Sequence, residues 1–287
     1  MNHDNRGAVA SDMNAYSPKE YWTGVAQQFG PADEAGLAPV LHPQAPRWFN
    51  QCMDELQERA IRRALAMAAL PSGARVLDVG CGTGRWVRRY REAGLAATGI
   101  DATPDMLRWA RQMESAAVLA AGEAHRLPFA HASFDCVSDV TVIQHIPAAQ
   151  QLQALAEMAR VVKPGGRMIL MELIRGKGGH IFPRTPRDWI HQAESQGMKL
   201  IGWFGQEFLL LDRAFVRAAR VAAKANGLPQ DRAIPAPSTP RFDASTSRRI
   251  YWSLRHFTVP LSAWAEPVVE KLCPARLATH GVFVFKK

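Results

Sequence analysis

The sequence predicts an α/β fold with a doubly wound, mostly parallel sheet of seven strands. A glycine-rich loop, GCGTG, directly follows the apolar run VLDV, which is the transition from a buried strand to a helix. Strand-sized apolar runs then alternate with helical segments as far as residue 204. Helical patterns also precede the sheet and interrupt it before its last strand, so the sheet carries an N-terminal extension and an insert.

The first predicted elements are two helices within residues 1–70, an extension that we interpret as a lid. Ser17 followed by Pro18 is a typical helix start, with a capping side chain and a proline in the first turn. A loop rich in Gly and Pro covers residues 30–46, and a long amphipathic helix is predicted for 47–70. Its predicted apolar stripe consists of Trp48, Cys52, Leu56, Ala60 and Leu65.

The alternating elements lie within residues 71–206, which we predict to be the α/β core. The predicted strands are 75–79, 96–100, 116–121, 134–139, 167–173, 199–204 and 281–285. The predicted helices are 85–92, one beginning at Thr103, 148–162 and 186–196. The stretch 207–278 is too long for a hairpin loop, and we predict it to be a helical cap before a last strand within 279–287.

The bulk composition is that of an ordinary globular protein, with 287 residues, 47% of them hydrophobic and 21% charged. The four cysteines form no CxxC pair, which predicts no metal site and fits a reducing cytoplasm. No apolar run approaches the roughly 20 residues of a membrane-spanning helix, and the N-terminus has no signal-like apolar segment. The net charge is +9, but without a Lys/Arg run we expect no nucleic-acid partner.

The spacing of the glycine loop separates two classes of nucleotide-binding fold. A dinucleotide-binding loop has the pattern GxGxxG, in which the third glycine allows the helix to pack closely on the strand. Here that position is Arg85, and the pattern from Gly80 is GxGxG, preceded by the acidic Asp78. The loop therefore departs from the nicotinamide-binding pattern.

Four ordered motifs resemble those of the class I S-adenosylmethionine-dependent methyltransferases. They are VLDVGCGTG, TGIDATPDML, AAGEAHRLPFAHASFDCVSDVTVIQHI and RVVKPGGRMILMEL. Together they cover roughly residues 74–204 and leave the N-terminal extension and the insert without a counterpart. The resemblance implies a Rossmann-like methyltransferase fold, S-adenosylmethionine as cofactor and methyl transfer as the activity.

The resemblance also implies a set of cofactor contacts. The backbone at Gly80 can approach the methionine part because no Cβ obstructs it. Asp101, at the end of the second strand, can accept hydrogen bonds from both ribose hydroxyls, and Glu123 stands where Asp is commoner in the family. The residues assigned to the cofactor in this way are Asp78, Gly80, Cys81, Gly82, Asp101, Ala102, Met106, Glu123, Ala124, Val140 and Thr141.

Aromatic and titratable side chains outside these contacts are candidates for the acceptor side. His145, just beyond the fourth strand, is the candidate general base, because its ordinary pKa suits proton transfer at neutral pH. In the lid, Tyr21 is expected to cover the cofactor. The residues expected to contact the acceptor are Trp22, Glu172, His180, Tyr251 and Arg255.

The insert favours a small-molecule acceptor, because a cap of this length can build a dedicated pocket. We expect methylation of an oxygen or nitrogen atom. C-methylation of a quinone-like acceptor and methylation of RNA or protein remain alternatives. The N-terminal helices or the insert could form a homodimer.

Overall fold

The computed structural model describes residues 16–30, 36–176, 179–225 and 246–287. Parts of the predicted lid and cap, residues 1–15, 31–35 and 226–245, lie outside the described residues. Every helix within the described ranges is too short or too polar to span a bilayer.

The described strands form one seven-stranded sheet, as the sequence predicts. The strands are β1 (Arg75–Val79), β2 (Ala96–Asp101), β3 (Val118–Ala121), β4 (Phe134–Val140), β5 (Val162–Leu173), β6 (Lys199–Gln206) and β7 (His280–Lys286). Their order is β3-β2-β1-β4-β5-β7-β6. Strands β1 to β5 pair in parallel, and β7 runs antiparallel between β5 and β6. The chain order reverses between β1 and β4, so the carboxyl ends of these two strands border the crevice where such sheets bind ligands.

Eight α-helices surround the sheet in the described part of the chain. They are α1 (Pro18–Phe29), α2 (Arg47–Ala68), α3 (Arg85–Glu92), α4 (Pro104–Met113), α5 (Ala148–Val161), α6 (Pro186–Glu194), α7 (Leu210–Ala225) and α8 (Thr246–Leu272). The predicted N-cap of helix α1 is confirmed, since the Ser17 hydroxyl accepts the Glu20 N–H at 3.4 Å. Strand β5 begins five residues before the predicted start, because Val162 already pairs with Phe134 ahead of the turn.

Both faces of the sheet are buried, and β5 shows how. Met168 and Leu170 lie in one apolar cluster with side chains of α5 and α6. Ile169 and Met171 lie in a second cluster with side chains of α2 and α3. All four side chains are fully buried. A strand covered on both faces reads as a continuous apolar run, which is how MILM appears in the sequence.

The predicted apolar stripe of α2 is partly wrong. Phe49 and Met53 are buried, whereas Trp48 and Cys52 are only half-buried at the edge of the same cluster. The N-terminal half of α2 packs on α8, and its C-terminal half packs on the sheet. The buried residues of α2 therefore face two different partners, α8 and the sheet. Helix α8 lies about 200 residues further along the chain.

Helix α8 is long and contains two prolines, Pro260 and Pro267. A proline inside a helix has no N–H, so the carbonyl four residues earlier loses its partner. For Pro267 this is the carbonyl of Ala263, which instead accepts a hydrogen bond from the Arg59 guanidinium at 3.0 Å. Helix α2 thereby satisfies the break in α8 and ties the cap to the core.

Candidate functional site

The glycine loop after β1 lies against the turn that follows β4. Gly80 has φ +68°, and a Cβ at this position would lie 2.4 Å from a Val142 methyl carbon. Gly82 has φ +51°, and its Cβ would lie 2.6 Å from a Val40 methyl carbon. Each position therefore requires glycine for two reasons: its backbone conformation is unfavourable for other residues, and there is no space for a Cβ atom.

Asp101 ends β2 beside this loop. Its Oδ2 accepts the Gly82 N–H at 2.9 Å, and its Oδ1 accepts the Thr103 N–H at 2.8 Å. Burial raises the pKa of Asp101, and these two donors oppose that rise. A carboxylate oxygen has two lone pairs, so each oxygen can still accept one hydrogen bond from a ligand.

The glycine loop and Asp101 border a cavity of about 430 Å³, which we call the loop cavity. It lies at the carboxyl ends of β1, β2 and β4, and α1 borders it on another side. The predicted cofactor residues that line it are Gly80, Cys81, Gly82, Asp101, Ala102, Met106, Glu123, Ala124, Val140 and Thr141.

Two residues predicted to touch the cofactor do not line the loop cavity. Asp78 is 1% exposed behind the glycine loop, and burial raises its pKa well above the ordinary value. Its carboxyl faces inward because β1 is covered on both faces. Tyr21 faces the other side of α1, where its ring stacks on His180 with centroids 4.5 Å apart. Both predictions are therefore corrected by the packing.

A second cavity, the cap cavity, has a volume of about 1240 Å³. It lies between α1, α2, the loop after β5 and the cap helices α7 and α8. Of the residues predicted to contact an acceptor, Trp22, His180, Tyr251 and Arg255 line it, and so does Tyr21. The Arg255 guanidinium is already paired with both oxygens of Asp212, at 2.9 and 2.6 Å, so it has less capacity for a ligand than the sequence suggests.

The two cavities meet at a junction formed by Trp22, Val40, Thr141 and His145, which line both of them. Thr141 has φ +61°, a left-handed conformation that β-branched residues rarely adopt. Its N–H donates to the Met171 carbonyl at 2.8 Å, which holds the residue in place. Trp22 meets the His145 ring edge to face, with centroids 5.0 Å apart.

Hydrogen bonds at the junction fix the tautomer of His145. The Gln144 oxygen accepts the Leu173 N–H at 2.7 Å, so its amide NH₂ faces the His145 Nε2 at 3.3 Å. Nδ1 lies 3.2 Å from the His180 carbonyl oxygen, which can only accept. The proton is therefore assigned to Nδ1, and Nε2 carries the lone pair.

The surroundings of His145 make its ring a weak base. Burial lowers the pKa of His145 to about 3, and the nearby His180 ring adds to this. The two imidazoles are stacked with centroids 5.2 Å apart. His145 is thus neutral at pH 7, and its pKa lies far below the value that suits a general base. The residue is at the predicted place, but its basicity is much lower than the sequence suggests.

Glu172 does not contact an acceptor, contrary to the prediction. Its side chain is fully buried and lines neither cavity. Its oxygens accept the backbone N–H groups of Val142, Ile143 and Gln144 at 3.0, 2.8 and 2.9 Å. Glu172 therefore holds the turn after β4 in its conformation, and through this turn it positions the junction.

Comparison with known proteins shows that the α/β core is similar to methyltransferases. A family model described as a methyltransferase domain matches residues 77–170. Malonyl-(acyl-carrier protein) O-methyltransferase of Erwinia pyrifoliae is 39% identical over 136 residues, which cover 46% of this chain and 50% of that protein. Demethylmenaquinone methyltransferase of Renibacterium salmoninarum is 36% identical over 140 residues, covering 47% of this chain and 58% of that protein.

Residues 77–170 therefore match a methyltransferase domain, in agreement with the resemblance of the four sequence motifs to the class I S-adenosylmethionine-dependent methyltransferases. The chain spans about half the length of the curated relatives that it matches. The fold similarity extends further. A chain from the Haloferax volcanii complex of the Trm112 methyltransferase activator with a methyltransferase superposes with a TM-score of 0.54, 17% identity, and coverage of 94% of this chain and 97% of that one.

The methyltransferase core fits the cofactor on grounds of geometry. A Cβ at Gly80 would meet Val142, so only glycine allows the loop to pass this close to the turn after β4 at the wall of the loop cavity. Asp101 presents spare acceptor capacity to the loop cavity, and Met106 gives it an apolar wall. Glu123 is exposed at the rim, where it pairs with His125 at 3.0 Å.

The site also contains residues that the sequence did not indicate. Val40 closes the loop cavity from a segment far from the motifs, and Gln144 determines the tautomer of His145. Neither residue type has a chemical signature that distinguishes it in the sequence. Tyr16, which the sequence already indicates together with Tyr21 and Trp22, lines the loop cavity and donates from its hydroxyl to the His145 carbonyl at 3.1 Å.

Proposed function

We propose that this protein transfers the methyl group of S-adenosylmethionine to an oxygen or nitrogen atom of a small molecule. The observation that carries the proposal is the junction. A cavity bordered by the residues that match the family's cofactor motifs adjoins a second cavity, and Trp22, Val40, Thr141 and His145 line both. This arrangement brings a donor and an acceptor together at one point.

The residues of the loop cavity would hold the cofactor. These residues line the loop cavity, where the backbone of Gly80 and Gly82 would bind the methionine part, the Asp101 carboxylate would accept from the ribose hydroxyls, and Ala102, Met106 and Ala124 would border the adenine. The bound cofactor supplies an electrophilic methyl group on a sulfonium. The aromatic ring of Trp22 at the junction is suited to a neighbouring cationic centre.

The weak basicity of His145 bears on the choice of acceptor atom. A carbon or phenolic acceptor must lose a proton, and a pKa of about 3 makes His145 a poor group to take it. A carboxylate oxygen has no proton to lose, and an unprotonated amine nitrogen already has its lone pair. The geometry therefore favours O- or N-methylation over C-methylation.

The relatives are named for two different acceptors, an acyl-carrier-protein-bound malonyl group and demethylmenaquinone. Their names alone do not select an acceptor, because the fold supports several. The volume of the cap cavity, about 1240 Å³, suits a small molecule better than a folded RNA or protein. We propose residues 207–278 as the acceptor-recognition unit and residues 1–70 as the lid.

The proposal is tested first by thermal unfolding with S-adenosylhomocysteine, S-adenosylmethionine or NAD. A ligand at about 100 times its Kd adds roughly 2.7 kcal/mol, a rise in Tm of about 4–5 °C for a protein of this size. We expect this rise with the two adenosyl ligands, its loss in Asp101→Ala and its retention in Asp105→Ala on α4. A rise with NAD alone would contradict the assignment. Release of S-adenosylhomocysteine with a panel of carboxylic acids and amines then identifies the acceptor.

A further inference from the structure

Three arginines line the cap cavity without a function in the site described so far. Arg175 follows β5, and Arg213 and Arg217 lie one helical turn apart on α7. Residues separated by four positions on a helix are neighbours on one face. The cavity therefore has guanidinium groups on two of its walls.

Two of these guanidiniums are held side by side. Arg175 donates to the carbonyl of Arg276 at 3.2 Å, and Arg213 donates to the next carbonyl, that of Leu277, at 2.7 Å. Burial lowers the pKa of Arg175, and the positive charge of Arg213 lowers it further. Like charges fixed close together repel each other, and an anion placed between them would relieve this repulsion.

The other ionisable groups on this wall contact one another. Arg255 is bound to Asp212, and the Glu207 carboxylate lies 3.2 Å from the His280 ring, which is charged only when protonated. Within the described ranges, no carboxylate lies within 4.0 Å of Arg175, Arg213 or Arg217. The cap cavity therefore has surplus positive charge that the described residues leave unbalanced.

We propose that Arg175, Arg213 and Arg217 bind an anionic group, a carboxylate or a phosphate, that the acceptor carries. The inference rests on the proposed function, because it takes the cap cavity as the acceptor site. Guanidinium groups bind carboxylate and phosphate oxygens in pairs, so they orient a ligand as well as attract it. The acceptor class is thus narrowed to acidic small molecules with an apolar body.

The test is a calorimetric titration with three probes of equal chain length: decanoate, decyl phosphate and decanol. We expect at least one anion to bind ten times more tightly than decanol, and the ratio of the two anions separates a carboxylate site from a phosphate site. Raising the NaCl concentration from 50 to 500 mM should weaken the binding of the two anions and leave the binding of decanol unchanged. Equal affinity for all three probes, or no binding of either anion, overturns the proposal.

Variants assign the effect to the arginines. Arg175→Gln and Arg213→Gln should each lower the anion affinity about tenfold and leave decanol unchanged. Arg217→Gln removes an exposed side chain and should act in the same direction without affecting folding. Arg111→Gln on α4 is the matched control. Unchanged anion affinity in all three cavity variants refutes the assignment.

The two proposals fail separately. Binding of S-adenosylhomocysteine is measured first in the same sample, and its absence contradicts the proposed methyl transfer. The anion titration without that ligand still decides whether Arg175 and Arg213 form an anion site.

An independent observation concerns the outer face of α8, away from the cap cavity. Leu254, Phe257, Leu261, Trp264 and Val268 follow the 3-4-3-4 spacing of a coiled-coil seam and are between 47% and 79% exposed. Pro260 and Pro267 are exposed too, and the face has no charged residue from 254 to 268. Monomeric proteins rarely leave a contiguous apolar patch of this kind exposed.

We infer that this face of α8 packs against the same face of a second copy of the chain. A stripe with this spacing is complementary to itself when two helices meet across a two-fold axis. At about 1.5 Å per residue the stripe is roughly 21 Å long. Its two aromatics expose most of the 150–250 Å² that each can bury, which provides the apolar core of a standard interface of about 800 Å² per partner. A membrane is less suitable, because a helix that lies on lipid carries free Lys and Arg beside its apolar face, whereas Arg255, the one Lys or Arg between 254 and 268, is bound to Asp212.

Sedimentation velocity over 1–100 μM tests the inference. We expect a dimer that becomes a monomer in Trp264→Glu and in Leu261→Glu, whereas Ser253→Glu at the margin of the face stays dimeric. A wild-type monomer at 100 μM overturns the proposal. Co-flotation of that monomer with vesicles of phosphatidylcholine and phosphatidylglycerol would then assign the face to lipid.

Discussion

Glu172 provides the strongest test of how the junction is built. Its carboxylate accepts three successive backbone N–H groups from the turn after β4, and it is fully buried. The turn includes Val142 and ends at His145. The Val142 side chain also packs against Gly80 of the glycine loop. Removing the Glu172 carboxylate by substitution should therefore lower both the stability of the protein and its affinity for ligand.

The expected magnitude follows from the donors that lose their partner. In Glu172→Ala the N–H groups of Ile143 and Gln144 lose their acceptor, each at about 1–3 kcal/mol, whereas the Val142 N–H keeps Asp139 Oδ1 at 3.1 Å. We expect a loss of about 2–5 kcal/mol in the free energy of unfolding, since water can enter the space and satisfy part of it. Glu172→Gln keeps one oxygen for Val142 and Ile143 and loses the Gln144 bond, so its loss should be about 1–2 kcal/mol.

The assay is urea unfolding followed by circular dichroism at pH 7, with S-adenosylhomocysteine affinity measured on each folded variant. Glu194→Ala on the exposed side of α6 is the control and should stay within about 0.5 kcal/mol of the wild type. A loss below about 1 kcal/mol in Glu172→Ala would refute the reasoning. If Glu172→Ala fails to fold, the Gln variant still gives a measurable value.

Three further predictions concern the junction. In Gly80→Ala the new Cβ meets Val142, so S-adenosylhomocysteine affinity by calorimetry should fall at least tenfold, with partial recovery on adding Val142→Ala; no change in Gly80→Ala would argue against a close backbone approach. The pKa of His145 is about 3 in the folded state and about 6.5 when unfolded, so the unfolded state alone takes up a proton as the pH falls through 6.5. Lowering the pH from 7 to 5 should thus cost the wild type about 2 kcal/mol more than His145→Phe in urea unfolding, and equal losses would show that the pKa of His145 is not lowered in the folded state. Trp22→Ala should reduce methyl transfer at least tenfold with cofactor affinity within about threefold of the wild type; normal turnover would show that the aromatic wall is dispensable.

Much of the core could be predicted from local patterns. The five strands of the α/β alternation and the helices between them are where the apolar runs place them, because period and length are properties of short segments. Ten of the residues predicted to contact the cofactor line one cavity, since the ends of parallel strands meet at one edge of a sheet.

The errors share a different cause. Asp78 and Glu172 are acidic residues near the site, and a carboxylate in a sequence gives no sign of whether it faces a cavity or the interior. The ring of Tyr21 turns away from the loop cavity, while its neighbour Trp22 reaches the junction. The basicity of His145 depends on burial and on His180, 35 residues away in the chain.

Local sequence patterns are enough to predict the order of strands and helices, the glycine loop and the acidic residue at the end of β2. These depend on neighbours within one turn or one strand, where backbone conformation is set by residue type. Packing between distant segments establishes which carboxylates are buried, how α1 and α8 border the cavities, and that Arg175 and Arg213 donate to neighbouring carbonyls. Such contacts join segments that lie up to about 200 residues apart, so local preference cannot predict them.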